Sequence, residues 1–172
     1  LALVPVPREA FAGASDLRLF TGGGRMPPNI MIMLDNSGSM NDPPLGCPTC
    51  GSKLSIAKPA LTTLVTSVNP PLGGGLYDEK ARFGLFNYRA NGGLLKQSIT
   101  SGNTGTILTA IAAQTAPGGV GTPIAASMLD VARYYSGTRV WGTLPTWGSL
   151  TSEPAVTDPF DYVCRDSFVI FI

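Results

Sequence analysis

The sequence lacks histidine altogether and contains only three cysteines in 172 residues. Histidine is the commonest general base and the commonest zinc ligand, so its absence excludes catalytic triads and histidine-based zinc sites. A chain of this length can bury a sizeable core and needs no disulfide scaffold to fold. What remains is a globular protein with neither histidine chemistry nor a disulfide framework.

Charged residues are also scarce, at 13% of the chain, and 12 Lys and Arg against 11 Asp and Glu leave the net charge near zero. Proteins that bind nucleic acid or anionic membranes need a basic stripe, so neither is expected as a partner. No apolar run approaches the roughly 18 residues that a membrane-spanning helix requires. No membrane span is therefore predicted.

The chain is predicted to consist of an N-terminal arm, residues 1–27, and one domain, residues 28–172. Residues 1–12 combine an apolar start with a small-x-small ending, which fits the tail of an export signal and fits an ordinary mature N-terminal arm equally well. Residues 136–166 show no clear period and are too long for an ordinary connection. They are predicted to be an insertion.

Short apolar runs alternate along the domain with stretches of helical spacing. The runs at 29–34, 81–87 and 167–172 are typical of buried parallel strands, and 94–99 predicts a weaker strand at a sheet edge. Strands that alternate with helices imply an α/β fold: a doubly wound, mainly parallel sheet with helices on both faces. Ligands of such sheets bind beyond the carboxyl ends of the strands.

Three helices are predicted between these strands. The first covers 54–68, with Pro59 either starting it or kinking it, and the second covers 106–114. The third begins at Thr122, a good N-cap, with Pro123 at the first helical position. Its apolar face is predicted to comprise Ile124, Met128, Val131 and Tyr135.

Asp35, Ser37 and Ser39 stand on alternate residues directly after the first apolar run, and Gly38 permits a tight turn among them. Oxygen ligands suit a hard cation such as Mg²⁺, Ca²⁺ or Mn²⁺, and a single carboxylate leaves such an ion able to take an acidic group from a partner. A plain polar turn uses the same residue types. An EF-hand is excluded, because its twelfth position is Gly46 where a glutamate is required.

The spacing of Asp35, Ser37 and Ser39 after an apolar strand resembles the first segment of the metal-ion-dependent adhesion site of von Willebrand factor A domains. The resemblance implies that Thr122, in a later loop, is a further metal ligand besides its capping role. The last ligand of that family is the Asp of a T-D-G turn after a buried strand. This sequence stops at Ile172, where that turn is expected, so the sheet is expected to be truncated before its last strands.

Several blocks resemble the PilY family of type IV pilus-tip adhesins, namely PPNIMIMLDNSGSMN, ARFGLFNY, GTPIAASMLDVARYY and SFVIFI. The resemblance implies an exported protein at the cell surface and pilus tip, associated with the outer membrane, that acts in pilus assembly, surface attachment and twitching motility. The implied partners are minor pilins and a host or abiotic surface ligand that offers a carboxylate. The alternative is a structural domain that caps the tip or transmits force without metal-dependent binding.

Catalysis is not expected, because no His or Lys in the local motif would activate Ser37 or Ser39. Cys47 and Cys50 lie in the loop after the motif, and export favours their oxidation to a disulfide that stiffens the loop. A zinc site would need two more ligands than the chain can supply there. Cys164 is expected to be free or paired outside this segment.

Overall fold

The fold is known from a computed structural model, which describes residues 26–89, 92–118, 121–136 and 165–172. In chain order, the elements are β1 (Asn29–Leu34), a 3₁₀ turn (Gly38–Asn41), α1 (Lys53–Val68), β2 (Pro71–Gly73), β3 (Leu76–Tyr77), β4 (Arg82–Arg89), β5 (Gly92–Gln97), α2 (Thr104–Ala112), α3 (Ile124–Tyr135) and β6 (Ser167–Phe171).

Four strands form the central sheet in the order β5-β4-β1-β6, and β2 pairs with β3 in a small separate hairpin. β1 is parallel to both of its neighbours, with Leu34 opposite Asn87 on β4 and Met33 opposite Phe171 on β6. β5 runs antiparallel to β4 at one edge, which agrees with the predicted edge strand. The predicted α/β class with a mainly parallel sheet is therefore confirmed.

Helices cover both faces of the sheet. Successive side chains of a strand point to opposite faces, so the two faces of β1 pack against different helices. On one face, the β1 residues Ile32 and Leu34 pack in one buried cluster with residues of α1 and α2. On the other face, Met31 and Met33 pack in a second cluster with residues of α3. This two-sided burial explains why β1 is a continuous apolar run without polar alternation.

Helix α1 begins before the proline that was expected to start or kink it. Ser52 is its N-cap and accepts a hydrogen bond from the backbone N of Ser55 at 3.1 Å. Pro59 lies inside the helix, so the alternative that it starts the helix is wrong. The helix continues through Pro59 because Leu54, Leu61 and Val65 anchor it in the core on either side.

Helix α3 differs from its prediction at its start. Pro123 is the N-cap residue, and no side chain caps the helix, so the prediction that Thr122 is the N-cap with Pro123 at the first helical position is wrong by one residue. Thr122 lies one position before the N-cap and is exposed. Its hydroxyl is therefore not committed to a capping bond.

The buried face of α3 differs in part from the predicted one, although Val131 is buried as predicted. Ile124 and Met128 are 50% and 51% exposed, whereas Asp130 and Tyr134 are buried. Asp130 Oδ2 accepts a hydrogen bond from Gly93 N at 2.9 Å, and the Tyr134 hydroxyl accepts one from Ile99 N at 2.8 Å. Hydrogen bonds to the chain around β5 thus set the rotation of this helix, and the spacing of its apolar residues does not predict it.

In the described part of the chain, strand β6 lies at the edge of the sheet, whereas its apolar sequence predicts a buried strand. Among the described residues it pairs with β1 alone. Phe168 and Phe171 are consequently 54% and 42% exposed. Most of the predicted arm and of the predicted insertion lies outside the described part of the chain, as does Cys164. Of the arm only residues 26–27 are described, and of the insertion at 136–166 only residues 136, 165 and 166.

Candidate functional site

The candidate site lies at the carboxyl end of β1, where two backbone hydrogen bonds join the chain to Ile172, the residue after β6. Asp35 N donates to the carbonyl of Ile172 at 2.7 Å, and Ile172 N donates to the carbonyl of Met33 at 3.0 Å. The loop therefore departs from a fixed point of the parallel sheet, the edge at which α/β proteins bind their ligands.

Three of the four predicted metal ligands lie together in this loop. Asp35 Oδ1 accepts a hydrogen bond from Ser37 N at 2.7 Å, which folds the carboxylate back over the turn. The hydroxyl oxygens of Ser37 and Ser39 are 3.2 Å apart. Ser37 is 4% exposed and Ser39 is exposed, so the hydroxyl pair leads from the protein interior to solvent.

The short 3₁₀ turn that follows gives the loop its shape. Met40 N donates to the carbonyl of Ser37 at 2.9 Å, and the Met40 side chain is buried in the cluster under α1 and α2. The buried Met40 side chain thus anchors the turn and fixes the positions of the Ser37 and Ser39 hydroxyls. The donor set is one carboxylate and two hydroxyls, which are oxygen ligands of the kind that hard cations prefer.

For Thr122, the fourth predicted ligand, the contact nearest in sequence that reaches this region is made by Ala116. Asn41 Nδ2, at the end of the 3₁₀ turn, donates to the carbonyl of Ala116 at 2.6 Å, and Ala116 begins the segment that leads to Thr122. Among the described residues, no hydrogen bond joins Thr122 to Asp35, Ser37 or Ser39. The role of Thr122 as a ligand stays a prediction.

Asp35 is the charged residue among the candidate ligands, and its charge acts on Tyr88. Tyr88 lies on β4 just beyond Asn87, the residue opposite Leu34. Burial and, to a smaller extent, the negative charge of Asp35 raise the pKa of the Tyr88 phenol above its ordinary value. In the described part of the chain, no three His, Cys, Asp or Glu side chains lie close enough to hold a metal, so a cation here would need hydroxyl or amide oxygens besides the Asp35 carboxylate.

Two buried asparagines near the loop were not predicted as site residues. Asn36 follows Asp35, and Asn87 lies at the carboxyl end of β4 in register with Leu34. Both are at most 5% exposed, and in each the amide oxygen Oδ1 has no hydrogen-bond partner. The signal that would have indicated Asn87 is a polar residue at the end of an otherwise apolar strand.

The loop that continues from the site is closed by a disulfide between Cys47 and Cys50, as predicted. Cys47 N donates to the carbonyl of Pro44, and Cys50 N to that of Cys47, both at 3.1 Å. Lys53 N closes the base of the loop on the carbonyl of Asp42 at 2.9 Å. The disulfide lies between the candidate ligands and the start of α1.

We expect replacement of both Cys47 and Cys50 with serine to lower the free energy of unfolding by at most about 2 kcal/mol, because the bridge closes a very short loop. Chemical denaturation of the oxidised protein and the double variant measures the difference. Reduction of the parent protein is the control and should give the same loss. A loss well above this value would mean that the bridge holds more of the domain than its loop.

None of the helices in the described ranges is long and apolar enough to cross a membrane. No family model matches the chain, and no curated protein matches it. Among solved structures it resembles the crystal structure of an uncharacterized membrane spanning protein from Vibrio fischeri, at 15% identity and a TM-score of 0.48. The alignment covers 67% of this chain and 52% of that one, so this chain spans about half of its length. A likeness at this TM-score carries no argument about fold or function.

Proposed function

We propose that this chain is a von Willebrand factor A-like domain that binds other molecules through a divalent cation, in an exported pilus-tip protein of the PilY type. The observation that carries the proposal is the convergence of Asp35, Ser37 and Ser39, with two hydroxyl oxygens 3.2 Å apart at the end of a central parallel strand. In this role the protein acts in pilus assembly, surface attachment and twitching motility.

The position of the loop in the sheet supports the proposal. β1 has β4 on one side and β6 on the other, and both pair with it in parallel. The chain passes from β1 to β4 on one side and later to β6 on the other, so the strand order reverses at β1. Doubly wound sheets bind their ligands at the carboxyl ends of the strands where the order reverses. Helices on both faces agree with that architecture.

The chemistry of the loop supports a binding role over a catalytic one. A bound Mg²⁺, Ca²⁺ or Mn²⁺ would supply positive charge that a single protein carboxylate does not neutralise, and a carboxylate of a partner would complete the charge balance. Ser37 N holds Asp35 Oδ1 in place, and the hydroxyls of Ser37 and Ser39 would serve as neutral ligands, with Thr122 as the fourth. No basic side chain in the described ranges bonds either serine hydroxyl, as an activated nucleophile would require.

The disulfide supports placement outside the cytoplasm, because such bridges persist in oxidising compartments. We accordingly propose the cell surface and pilus tip, with outer-membrane association, as the location. Minor pilins and a carboxylate-bearing host or abiotic surface are the proposed partners. A domain that only caps the tip or transmits force would share the fold and would not need the cation for attachment.

Replacing Asp35 with asparagine tests the cation site with little change in shape. Asn Oδ1 can still accept the hydrogen bond from Ser37 N, whereas the negative charge is lost. We expect Mn²⁺ affinity, measured by isothermal titration calorimetry, to fall by more than about tenfold, since even outer-shell partners of metals contribute 10–100-fold. The thermal stability of the metal-free protein should be unchanged.

The matched control is Asp42→Asn, which removes one negative charge from an exposed residue of the same loop. This variant should bind Mn²⁺ like the parent protein. Equal affinity of Asp35→Asn and the parent would refute the cation site. In cells that carry each variant, loss of surface attachment with Asp35→Asn alone supports the adhesion role, and unchanged attachment supports the tip-capping role.

A further inference from the structure

A chain of hydrogen bonds fixes the orientation of the Asn87 amide. Gln114 Nε2 donates to the carbonyl of Ala110 at 2.7 Å, and Asn87 Nδ2 donates to Gln114 Oε1 at 2.5 Å. Rotating either amide by a half-turn would set two acceptor oxygens against each other. Ala110 thus determines which end of Asn87 is the oxygen, through Gln114.

The oxygen fixed in this way has no partner. Asn87 is 3% exposed, and its Oδ1 accepts no hydrogen bond. An unpaired buried acceptor costs about 1–3 kcal/mol, so its retention beside the candidate site requires a reason. Asn36 shows the same feature two residues beyond Leu34, the residue that lies opposite Asn87.

The Asn87 side chain lies on a known face of the sheet. Side chains alternate along β1 and β4, so Leu34 and Asn87 lie on the face covered by α1 and α2. Asn87 lies opposite the residue that precedes Asp35, and Asn36 lies between Asp35 and Ser37, so both residues lie at the start of the candidate loop. Donors that suit such oxygens are the strongly polarised waters that small divalent cations retain when proteins bind them.

We propose that Asn87, oriented by Gln114, is a positioning residue of the candidate cation site, and that its Oδ1, together with that of Asn36, accepts hydrogen bonds from water molecules held by the cation. The inference rests on the proposed function. The two amides contact the waters of the cation and not the cation itself. This role explains why neutral acceptors are buried at this edge of the sheet.

The test measures Mn²⁺ affinity and metal-free thermal stability for Asn87→Leu and Asn87→Asp. Leucine removes the acceptor at similar volume, and we expect Mn²⁺ affinity to fall about 10–100-fold, as for other outer-shell partners of metals. Aspartate keeps an acceptor oxygen at the same distance from the backbone but sets its second oxygen against Gln114 Oε1, so metal-free stability should fall while Mn²⁺ affinity is retained or increased. A residue that only filled space would give no such difference between the two variants.

Asn103→Leu is the matched control. Asn103 is also buried with an unpaired Oδ1, but its Nδ2 donates to Phe83 and Ser98, and Phe83 precedes Asn87 by about 13 Å of strand. This variant should lose stability and keep its Mn²⁺ affinity. If Asn87→Leu does not fold, Asn87→Val, which suits a strand, replaces it in the comparison.

The outcomes separate this inference from the proposed function. If Asp35→Asn loses Mn²⁺ binding while Asn87→Leu or Asn87→Val binds within about twofold of the parent, instead of the 10–100-fold loss typical of outer-shell changes, the positioning role is wrong and the cation site stands. If the parent protein does not bind Mn²⁺, both proposals fail.

Discussion

Replacing Asn69 with leucine should lower the free energy of unfolding by about 3–5 kcal/mol, the largest loss that we expect from a residue outside the core clusters. Asn69 is completely buried at the end of α1. Its Nδ2 donates to the carbonyl of Ala81 and to Thr104 Oγ1, at 2.8 and 2.9 Å. Its Oδ1 accepts from Lys80 N and Ala81 N, at 2.8 and 3.0 Å.

One side chain thus joins the end of α1, the start of β4 and the first turn of α2. Leucine would leave all four partner groups unpaired, and a buried unpaired group costs about 1–3 kcal/mol. Thr104→Val is the graded control, because it removes only one of the four bonds and should cost about 1 kcal/mol. Urea denaturation measures both variants; equal losses for the two would show that the other three bonds contribute nothing.

Replacing Tyr134 with alanine should cost about 3–5 kcal/mol, the range for a large aromatic side chain removed from a core. Tyr134 is completely buried on α3, and its ring meets that of Phe86 edge to face, with centroids 5.8 Å apart. Its hydroxyl accepts the hydrogen bond from Ile99 N at 2.8 Å. The variant therefore loses packing and a polar contact together.

Tyr134→Phe separates these two contributions. Phenylalanine keeps the ring and leaves Ile99 N without its acceptor, so the expected loss is about 1–3 kcal/mol. The same denaturation experiment measures it. If Tyr134→Phe were as unstable as Tyr134→Ala, the hydrogen bond to Ile99 would hold α3 against the sheet and the ring would contribute little. If it were as stable as the parent, the rotation of α3 would need another cause.

The strands of the sheet could be predicted from the sequence because burial on both faces requires a continuous run of apolar residues. The run at Asn29–Leu34 has no polar alternation, a pattern that is typical of a central strand covered by helices. The exposure of β6 could not be predicted in the same way, because its run is equally apolar although it pairs with β1 alone among the described residues. Apolar content indicates a strand and does not indicate its place in the sheet.

The rotation of α3 could not be predicted because its causes are distant in sequence. Asp130 and Tyr134 are buried through bonds to Gly93 and Ile99, which precede them by 37 and 35 residues. The helical spacing of apolar residues favours Ile124 and Met128 as part of the buried face, but both are exposed. Polar side chains that bond a distant backbone are not distinguishable from surface residues in the sequence.

The candidate site could be predicted in part for the same reason. Asp35, Ser37 and Ser39 are adjacent in sequence, and a local pattern suffices to bring them together. Asn87 is 52 residues from Asp35, and its orientation depends on Gln114, a further 27 residues along the chain. Only the pairing of β1 with β4 places Asn87 beside the loop. The direct ligands are thus a motif, whereas their surroundings are a product of the fold.

A crystal structure of the protein with Mn²⁺, located by its anomalous scattering, tests the cation site most directly. The account predicts one Mn²⁺ at the loop after β1, with the hydroxyl oxygens of Ser37, Ser39 and Thr122 at about 2.0–2.6 Å and Asp35 bound directly or through a coordinated water. No Mn²⁺ at this loop, or a Thr122 hydroxyl more than about 8 Å from the Asp35 carboxylate, too far to share an ion with such short bonds, would contradict it.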